Sequence, residues 1–273
     1  MPTAAMPTAA MPTAAMPTAA MLAAALLAGD VRTEYQPKVA LASGALIGVE
    51  ALSRWTDTAL GAIAPETFIP LAESCGLIGR LTEGVLRDSL AAVVRLRRRH
   101  PDATVAVNVS PALLDDPALP DAIAAALAAA GLPAEALVVE ITEGQPFADP
   151  DRAAAVLSTL RQRGVGCAMD DFGTGYATLP ALLRLPFTEL KIDRSFVSRM
   201  ADLPEALKLM RATIGLGHAL GLRVVAEGVE TVEVADLLRS AGCDAGQGFL
   251  FGPAMAVERV LQQWPGRGDE APP

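Results

Sequence analysis

Two adjacent carboxylates, Asp170 and Asp171, follow the apolar run 164–169 and precede the glycine-rich segment 172–176. The run is short and bounded by glycine, which predicts a buried strand, and the glycines allow the following loop to approach a ligand closely. Neighbouring carboxylates repel each other, and two ionised groups near a protein interior need a cation or hydrogen bonds to compensate them. Taken alone, the pair also fits a turn that caps the next helix.

Polar side chains end most of the other apolar runs in the same way. They are Glu50, Asn108, Glu140, Lys191, Glu227 and Gln247. Helical patterns separate the runs, and apolar, β-branched strands that alternate with helices are typical of a parallel sheet covered by helices. An open sheet would gather ligand-facing residues at one switch point, whereas a closed barrel brings every strand end to one mouth. Polar residues at most strand ends therefore favour an α/β fold of the TIM-type (β/α)8 barrel class.

In a closed barrel the acidic strand ends would form one site. Its members would be Glu50, Asn108, Glu140, Asp170 and Asp171. Their oxygen ligands suit Mg²⁺ or Mn²⁺ and do not suit zinc. Two such ions about 4 Å apart, sharing Asp170, would clamp the attacking and leaving oxygens of a phosphodiester displacement. Lys191 would orient a water or neutralise a developing oxyanion, and Glu227 would accept a proton.

Length and composition are those of a protein with a full hydrophobic core. The chain has 273 residues, of which 52% are hydrophobic and 19% charged, with a net charge of −9. The acidic balance argues against a DNA or RNA surface, because phosphate backbones are held by excess Lys and Arg. Cys75, Cys167 and Cys243 lack metal-ligand spacing, so we expect free thiols in a reducing, cytoplasmic compartment. No run is long and uncharged enough to predict a membrane span.

The first 20 residues repeat Met-Pro-Thr-Ala-Ala four times. A proline at every fifth position opposes a helix, so we expect residues 1–25 to be a disordered low-complexity segment. A signal peptide is the rival interpretation, but no basic residue precedes the apolar run 21–27. The expected barrel covers residues 26–263, and residues 264–273 form an expected disordered tail.

Seven motifs occur in order along the expected barrel. They are Glu50-Ala51-Leu52-Ser53-Arg54-Trp55 preceded by Tyr35-Gln36-Pro37, then Asn108-Val109-Ser110, Glu140-Ile141-Thr142-Glu143, Asp170-Asp171-Phe172-Gly173-Thr174-Gly175, Leu190-Lys191-Ile192-Asp193-Arg194-Ser195-Phe196, Ala226-Glu227-Gly228-Val229-Glu230-Thr231 and Gln247-Gly248-Phe249-Leu250-Phe251-Gly252. In this order they resemble the EAL-domain family of cyclic di-GMP phosphodiesterases. One such motif would be weak evidence, whereas seven in family order are very specific.

The resemblance implies a modified barrel whose first strand runs antiparallel to the others. It also implies that cyclic di-GMP binds at the mouth and is hydrolysed to linear pGpG with two Mg²⁺ or Mn²⁺ ions. By similarity, the first ion would be held by Glu50, Asn108, Glu140 and Asp170, and the second by Asp170, Asp171 and Glu227.

The resemblance also assigns roles to single residues. Lys191 would position the attacking water, and Glu227 would be the general base. Glu143 would tie down the loop after Asp171, and Gln247 would support the metal and phosphate region. The remaining nucleotide contacts would be made by Gln36, Leu52, Arg54 and Asp193.

Two alternatives belong to other classes of function. A catalytically silent cyclic di-GMP receptor would bind without turnover, but such relatives usually lack a ligand or the base, and none is lost here. An enolase-type barrel enzyme would hold one Mg²⁺ beside a lysine base, for which Asp171 and the flanking motifs are not required. Homodimer formation is left open by the sequence.

Overall fold

The computed structural model describes residues 16–142, 147–173, 179–200 and 203–266. Its strands are β1 Val31–Ala40, β2 Leu46–Asp57, β3 Gly61–Ile63, β4 Thr104–Asn108, β5 Leu137–Thr142, β6 Gly166–Phe172, β7 Glu189–Ile192, β8 Arg223–Ala226 and β9 Ala245–Gln247. Its α-helices are α1 Ala19–Ala28, α2 Pro65–Ser74, α3 Ile78–Arg97, α4 Leu119–Ala129, α5 Pro150–Gln162, α6 Leu179–Arg184, α7 Arg194–Val197, α8 Pro204–Ala219, α9 Val232–Ser240 and α10 Val257–Gln263. Two 3-10 helices cover Pro111–Asp115 and Ala134–Ala136.

Eight strands close into a barrel. Their order is β1-β9-β8-β7-β6-β5-β4-β2, and the pairing of β1 with β2 completes the ring. Within the ring, the neighbouring strands β2, β4, β5, β6, β7, β8 and β9 pair parallel to one another. Strand β1 is antiparallel to both of its neighbours. The predicted TIM-type barrel with an antiparallel first strand is therefore confirmed. The short β3 extends β2 as an antiparallel hairpin outside the ring.

Local sequence signals explain where several of the helices begin. Pro65 occupies the first turn of α2, where its missing N–H costs nothing. The Asp149 side chain accepts hydrogen bonds from two backbone N–H groups at the start of α5, and the Thr231 hydroxyl caps α9. The helices pack their apolar faces on the outside of the barrel, so the main core lies between the sheet and the helix layer.

Helix α1 begins inside the segment that the sequence predicts to be disordered. Thr18 caps it through a hydrogen bond from the Met21 N–H, and Leu22 is fully buried against the main core. The last proline of the repeat is Pro17, and the Ala- and Leu-rich stretch that follows it has high helix propensity. The expectation that residues up to 25 are disordered is therefore wrong for residues 19–25, and the folded part begins near residue 18. Residues 1–15 lie outside the described part.

Within the described residues, no helix is long and apolar enough to span a membrane.

Candidate active site

The strand ends bring the predicted polar residues to one mouth of the barrel. Because carboxyl ends of parallel strands meet at the same rim, residues far apart in sequence become neighbours there. Asn108 at the end of β4 lies opposite Glu140 on β5. The antiparallel strand β1 joins them from the other direction, with Gln36 opposite Glu50 on β2.

The ammonium group of Lys191 lies at the centre of this cluster. Its side chain is fully buried, and Nζ contacts one carboxylate oxygen from each of four strands or the residue after them. Glu50 lies inside β2, which continues to Asp57 rather than ending at Glu50 as the sequence predicts. The distances are 3.2 Å to Glu50, 2.9 Å to Glu140, 3.0 Å to Asp170 and 2.7 Å to Glu227. Since one positive charge faces four carboxylates, the cluster requires further positive charge or bound protons.

Side-chain amides orient the carboxylate of Glu50. Asn108 donates from Nδ2 to one of its oxygens at 2.9 Å, and Gln247 donates from Nε2 to the other at 2.6 Å. The same Gln247 nitrogen lies 2.9 Å from Oε1 of Gln36. Two buried oxygens, Oε1 of Glu140 and Oε1 of Gln247, have no hydrogen-bond partner within the described residues. Buried oxygens of this kind are suitable cation ligands.

Asp170 and Asp171 lie in an irregular part of strand β6. The pairing of β6 with β7 shifts register between Met169 and Phe172, so the two aspartates lie in a bulge. Asp171 is the one non-glycine residue with positive φ in the described ranges, at 57°, and its N–H donates to Oδ1 of Asp170 at 2.9 Å. A left-handed backbone conformation at a non-glycine residue costs about 1 kcal/mol or more of conformational free energy, and residues in such conformations are frequent at functional sites.

The pKa values of the cluster reflect burial and crowded charge. Burial raises the pKa of Glu227 to about 8, although the Lys191 ammonium opposes this shift. Burial, followed by the charge of Asp170, raises the pKa of Asp171 to about 6. Burial also raises the pKa values of Glu140 and Asp170.

Glu50 and Lys191 behave differently from these carboxyls. Burial would raise the pKa of Glu50, but the Lys191 ammonium and the amides of Gln247 and Asn108 outweigh it and lower that pKa. Burial would lower the pKa of Lys191, but the surrounding carboxylates outweigh it and raise that pKa. The site therefore holds a charged lysine and an ionised Glu50 among other carboxyls that retain protons more strongly than usual.

The acidic residues form two overlapping groups with metal-ligand spacing. Glu50, Glu140 and Asp170 form one, and Asp170, Asp171 and Glu227 form the other, with ligand atoms within 4.8 Å of one another in each. Both groups present only oxygen, which Mg²⁺, Mn²⁺ and Ca²⁺ prefer. The residues therefore fit hard divalent cations, and Asp170 belongs to both groups.

Three of the expected nucleotide contacts, Leu52, Arg54 and Asp193, lie outside the buried cluster, whereas Gln247 is buried beside Glu50 and bonded to Gln36. Leu52 and Arg54 line a cleft of about 170 Å³ that reaches Asn108. Nε of Arg54 lies 3.1 Å from Glu34, and the Arg54 side chain is 37% exposed. Asp193 caps α7 by accepting from the Ser195 N–H. Glu143, which we expect to hold the loop after Asp171, lies outside the described residues.

Sequence reasoning missed one charged pair in the barrel interior. Nζ of Lys38 on β1 lies 2.5 Å from Oε1 of Glu189 on β7, and both side chains are buried. Lys38 stands two residues after Gln36, and Glu189 stands two residues before Lys191. The period of two along each strand would have placed them on the inward face.

The chain is a closed α/β barrel with clustered carboxylates and one lysine at its mouth. This arrangement is typical of barrel proteins that can hold hard divalent cations. Within that class, the chain belongs to the EAL domain family, whose model matches residues 19–254. The resemblance carried by the seven motifs is thereby confirmed.

Several curated relatives come from Pseudomonas aeruginosa, and two of them illustrate the similarity. The bifunctional diguanylate cyclase/cyclic di-GMP phosphodiesterase MucR is 41% identical over 228 residues, which cover 83% of this chain and 33% of MucR. The cyclic di-GMP phosphodiesterase RocR is 37% identical over 233 residues, which cover 85% of this chain and 59% of RocR. The chain thus spans about a third of MucR and less than two thirds of RocR.

A solved structure of the PaMucR phosphodiesterase in a c-di-GMP complex has a similar fold. The TM-score is 0.81 at 40% identity, and the match covers 88% of this chain and 98% of that chain.

Proposed function

We propose that this chain is a metal-dependent phosphodiesterase that hydrolyses cyclic di-GMP to linear pGpG. The observation that carries the proposal is the buried contact of one lysine with four carboxylates, which belong to two groups with metal-ligand spacing that share Asp170. The names of the relatives and the c-di-GMP complex of a similar structure support the choice of substrate.

Two Mg²⁺ or Mn²⁺ ions fit the two oxygen groups. Residues proposed for the first ion are Glu50, Asn108, Glu140 and Asp170, and residues proposed for the second are Asp170, Asp171 and Glu227. When bound, the ions supply Lewis-acid activation of water and neutralise charge on the phosphate. The Asn108 side chain donates a hydrogen bond to Glu50 through Nδ2. Its side-chain oxygen, Oδ1, would therefore be the atom that binds a cation.

Lys191 and Glu227 provide the proton and charge chemistry. Lys191, as a fixed ammonium in a buried site, orients the attacking water and stabilises negative charge that develops on the phosphate. Glu227 lies beside it and accepts the proton of that water. In the metal-free protein burial raises the pKa of Glu227 to about 8, and a bound cation would lower that pKa and leave the carboxylate able to accept the proton.

The remaining proposed residues hold the nucleotide. Gln36 and Gln247 are hydrogen-bonded to each other at the mouth and would contact the phosphates. Arg54 presents a planar guanidinium suited to phosphate or guanine. Its ion pair with Glu34 is solvent-exposed, so the guanidinium can exchange Glu34 for a ligand. Leu52 offers apolar contact, Asp193 a polar one, and Glu143 would position the loop after Asp171.

The test is incubation of the purified chain with cyclic di-GMP and either Mg²⁺ or Mn²⁺, followed by chromatography for pGpG. We expect pGpG to form with either metal, to be absent in EDTA, and to be absent for Glu50→Ala. Binding of cyclic di-GMP without any product would contradict the proposal and identify a receptor. A cytoplasmic location remains a prediction, and a homodimer remains one possible assembly.

A further inference from the structure

A second charged layer lies beneath the candidate active site. The Lys38 and Glu189 side chains are 1% and 5% exposed and meet at 2.5 Å inside the barrel. Lys38 comes from the antiparallel strand β1, and Glu189 comes from β7, two strands beyond the β9 neighbour of β1. The pair therefore spans the barrel interior rather than joining adjacent strands.

Apolar side chains occupy the layer of this pair on three other strands. Ala106, Val138 and Ala168 form a separate buried cluster, each two residues before a strand-end residue of the site. Alternation along a strand places them on the same inward face, one layer below. Gly48, directly opposite Lys38 on β2, contributes no side chain.

Stability alone does not explain a buried ion pair at this position. Desolvation of two charges roughly offsets their attraction, and apolar side chains of similar volume often serve as well or better. The position of the pair gives it a different use. Lys38 follows Gln36 by two residues and Glu189 precedes Lys191 by two, so each partner shares a strand and a face with a residue of the site.

We propose that Lys38 and Glu189 are positioning residues, and that their ion pair is a strut across the barrel which sets the placement of Lys191 relative to Gln36. This inference rests on the proposed function. The strut fixes β1 against β7 just below the mouth, where Lys191 must contact four carboxylates and Gln36 must meet Gln247. Loss of the strut would let Lys191 shift within its cluster.

The decisive variant is the double substitution Lys38→Met/Glu189→Leu, which replaces the pair with apolar side chains of similar volume. The pair Arg95→Met/Glu258→Leu is the matched control, because it removes an exposed 2.5 Å ion pair that joins α3 to α10 outside the barrel. Four quantities are measured: Tm, kcat at saturating substrate and metal, KM, and the rise in Tm on adding Mn²⁺.

We expect the double variant to fold with a Tm near that of the wild type. Its kcat should fall by about tenfold to a hundredfold, because small misplacement of a catalytic group costs that much. The Mn²⁺-induced rise in Tm should also shrink, whereas the control keeps both values. A folded double variant with wild-type kcat and a wild-type Mn²⁺ response would overturn the strut.

Glu189→Gln keeps the inference testable if the double variant fails to fold. The neutral amide still accepts a hydrogen bond from Lys38, which supports folding, but it lacks the charge that holds the ammonium in place. We therefore expect a folded protein with lower kcat, and a wild-type kcat would overturn the proposal. If the wild-type chain forms no pGpG, the proposed function fails separately. The Mn²⁺ response of Glu189→Gln then decides the strut, since a reduced response supports it and an unchanged one contradicts it.

Discussion

Nζ of Lys191 lies 2.7 Å from Oε1 of Glu227, so the residue proposed to orient water and the residue proposed to accept its proton are in direct contact. They come from the ends of neighbouring parallel strands, which places them on one side of the cluster. The pair needs the other carboxylates as well, because they outweigh the cost of burying the Lys191 charge. Removing Lys191 therefore changes the charge balance of the cluster, whereas removing the Glu227 carboxylate removes the proposed proton acceptor.

Lys191→Met should abolish pGpG formation and destabilise the metal-free protein. Removing the cation leaves four crowded carboxyls without their shared partner, and breaking a buried ion pair typically costs about 3 to 5 kcal/mol. Divalent metal should recover more Tm in this variant than in the wild type, because it supplies the missing charge. Thermal melts in EDTA and in Mn²⁺ measure both effects. Lys208→Met, an exposed change on α8, is the control and should leave both melts unchanged.

Glu227→Gln should abolish turnover while cyclic di-GMP binding in Ca²⁺ stays detectable. The amide keeps the size of the side chain but cannot accept the proton of the attacking water. Isothermal titration with cyclic di-GMP in Ca²⁺ measures binding, and chromatography in Mg²⁺ measures hydrolysis. Hydrolysis near the wild-type rate would show that another group is the base.

Stability of the metal-free protein should fall as pH rises from about 5 to about 8. Glu227 has an ordinary pKa of 4.5 and a folded value of about 8, so between these values the folded state binds more protons than the unfolded state. That difference makes unfolding easier at higher pH. Asp171, raised from 3.8 to about 6, acts in the same direction over the lower part of the range.

Urea unfolding in EDTA across this pH range measures the slope. Glu227→Gln has no carboxyl to titrate at this position, so its slope should be smaller than that of the wild type. A wild-type stability that rises between pH 6 and pH 8 would contradict the assigned shifts.

Gly173→Ala should lower activity through the loop after Asp171. Gly173 has φ of 104°, and a Cβ there would lie 2.4 Å from the Phe196 ring. The loop must then move, and Asp171 lies two residues before it. Gly131→Ala is the matched control: its φ is also positive, at 66°, but a Cβ there meets nothing within 4 Å. We expect both variants to lose some stability and only Gly173→Ala to lose kcat, and equal kcat in both would contradict the role of the loop.

The barrel and the clustering of most candidate site residues were predictable because polar residues interrupt or follow the apolar runs of most strands. That signal needs no knowledge of contacts, since chain direction alone brings the ends of parallel strands together. Lys38 and Glu189 do not follow an apolar run, so they lacked this signal, and only their spacing of two residues from Gln36 and Lys191 indicated an inward position. A charge within a strand usually marks a solvent-facing position, and only closure of the barrel turns that face inward. The strained backbone of Asp171 is likewise a product of the β6–β7 bulge rather than of its residue type.

Helix α1 was missed for a related reason, since composition alone cannot tell where a repeat stops and a packed helix starts. The structure makes a sharp prediction about it. Leu22 is fully buried and Leu27 is 74% exposed, although both are leucines in the same helix. Leu22→Ala should therefore cost about 2 to 5 kcal/mol of unfolding free energy, as is usual for a buried leucine.

Leu27→Ala should change the unfolding free energy by less than about 0.5 kcal/mol, as is usual for a surface site. Urea unfolding of both variants tests the pair, and removal of residues 1–15 should match the wild type in stability and rate. Equal losses for Leu22→Ala and Leu27→Ala would mean that α1 is not packed on the barrel. The folded domain would then begin after α1, closer to the boundary at residue 26 that the sequence alone predicts.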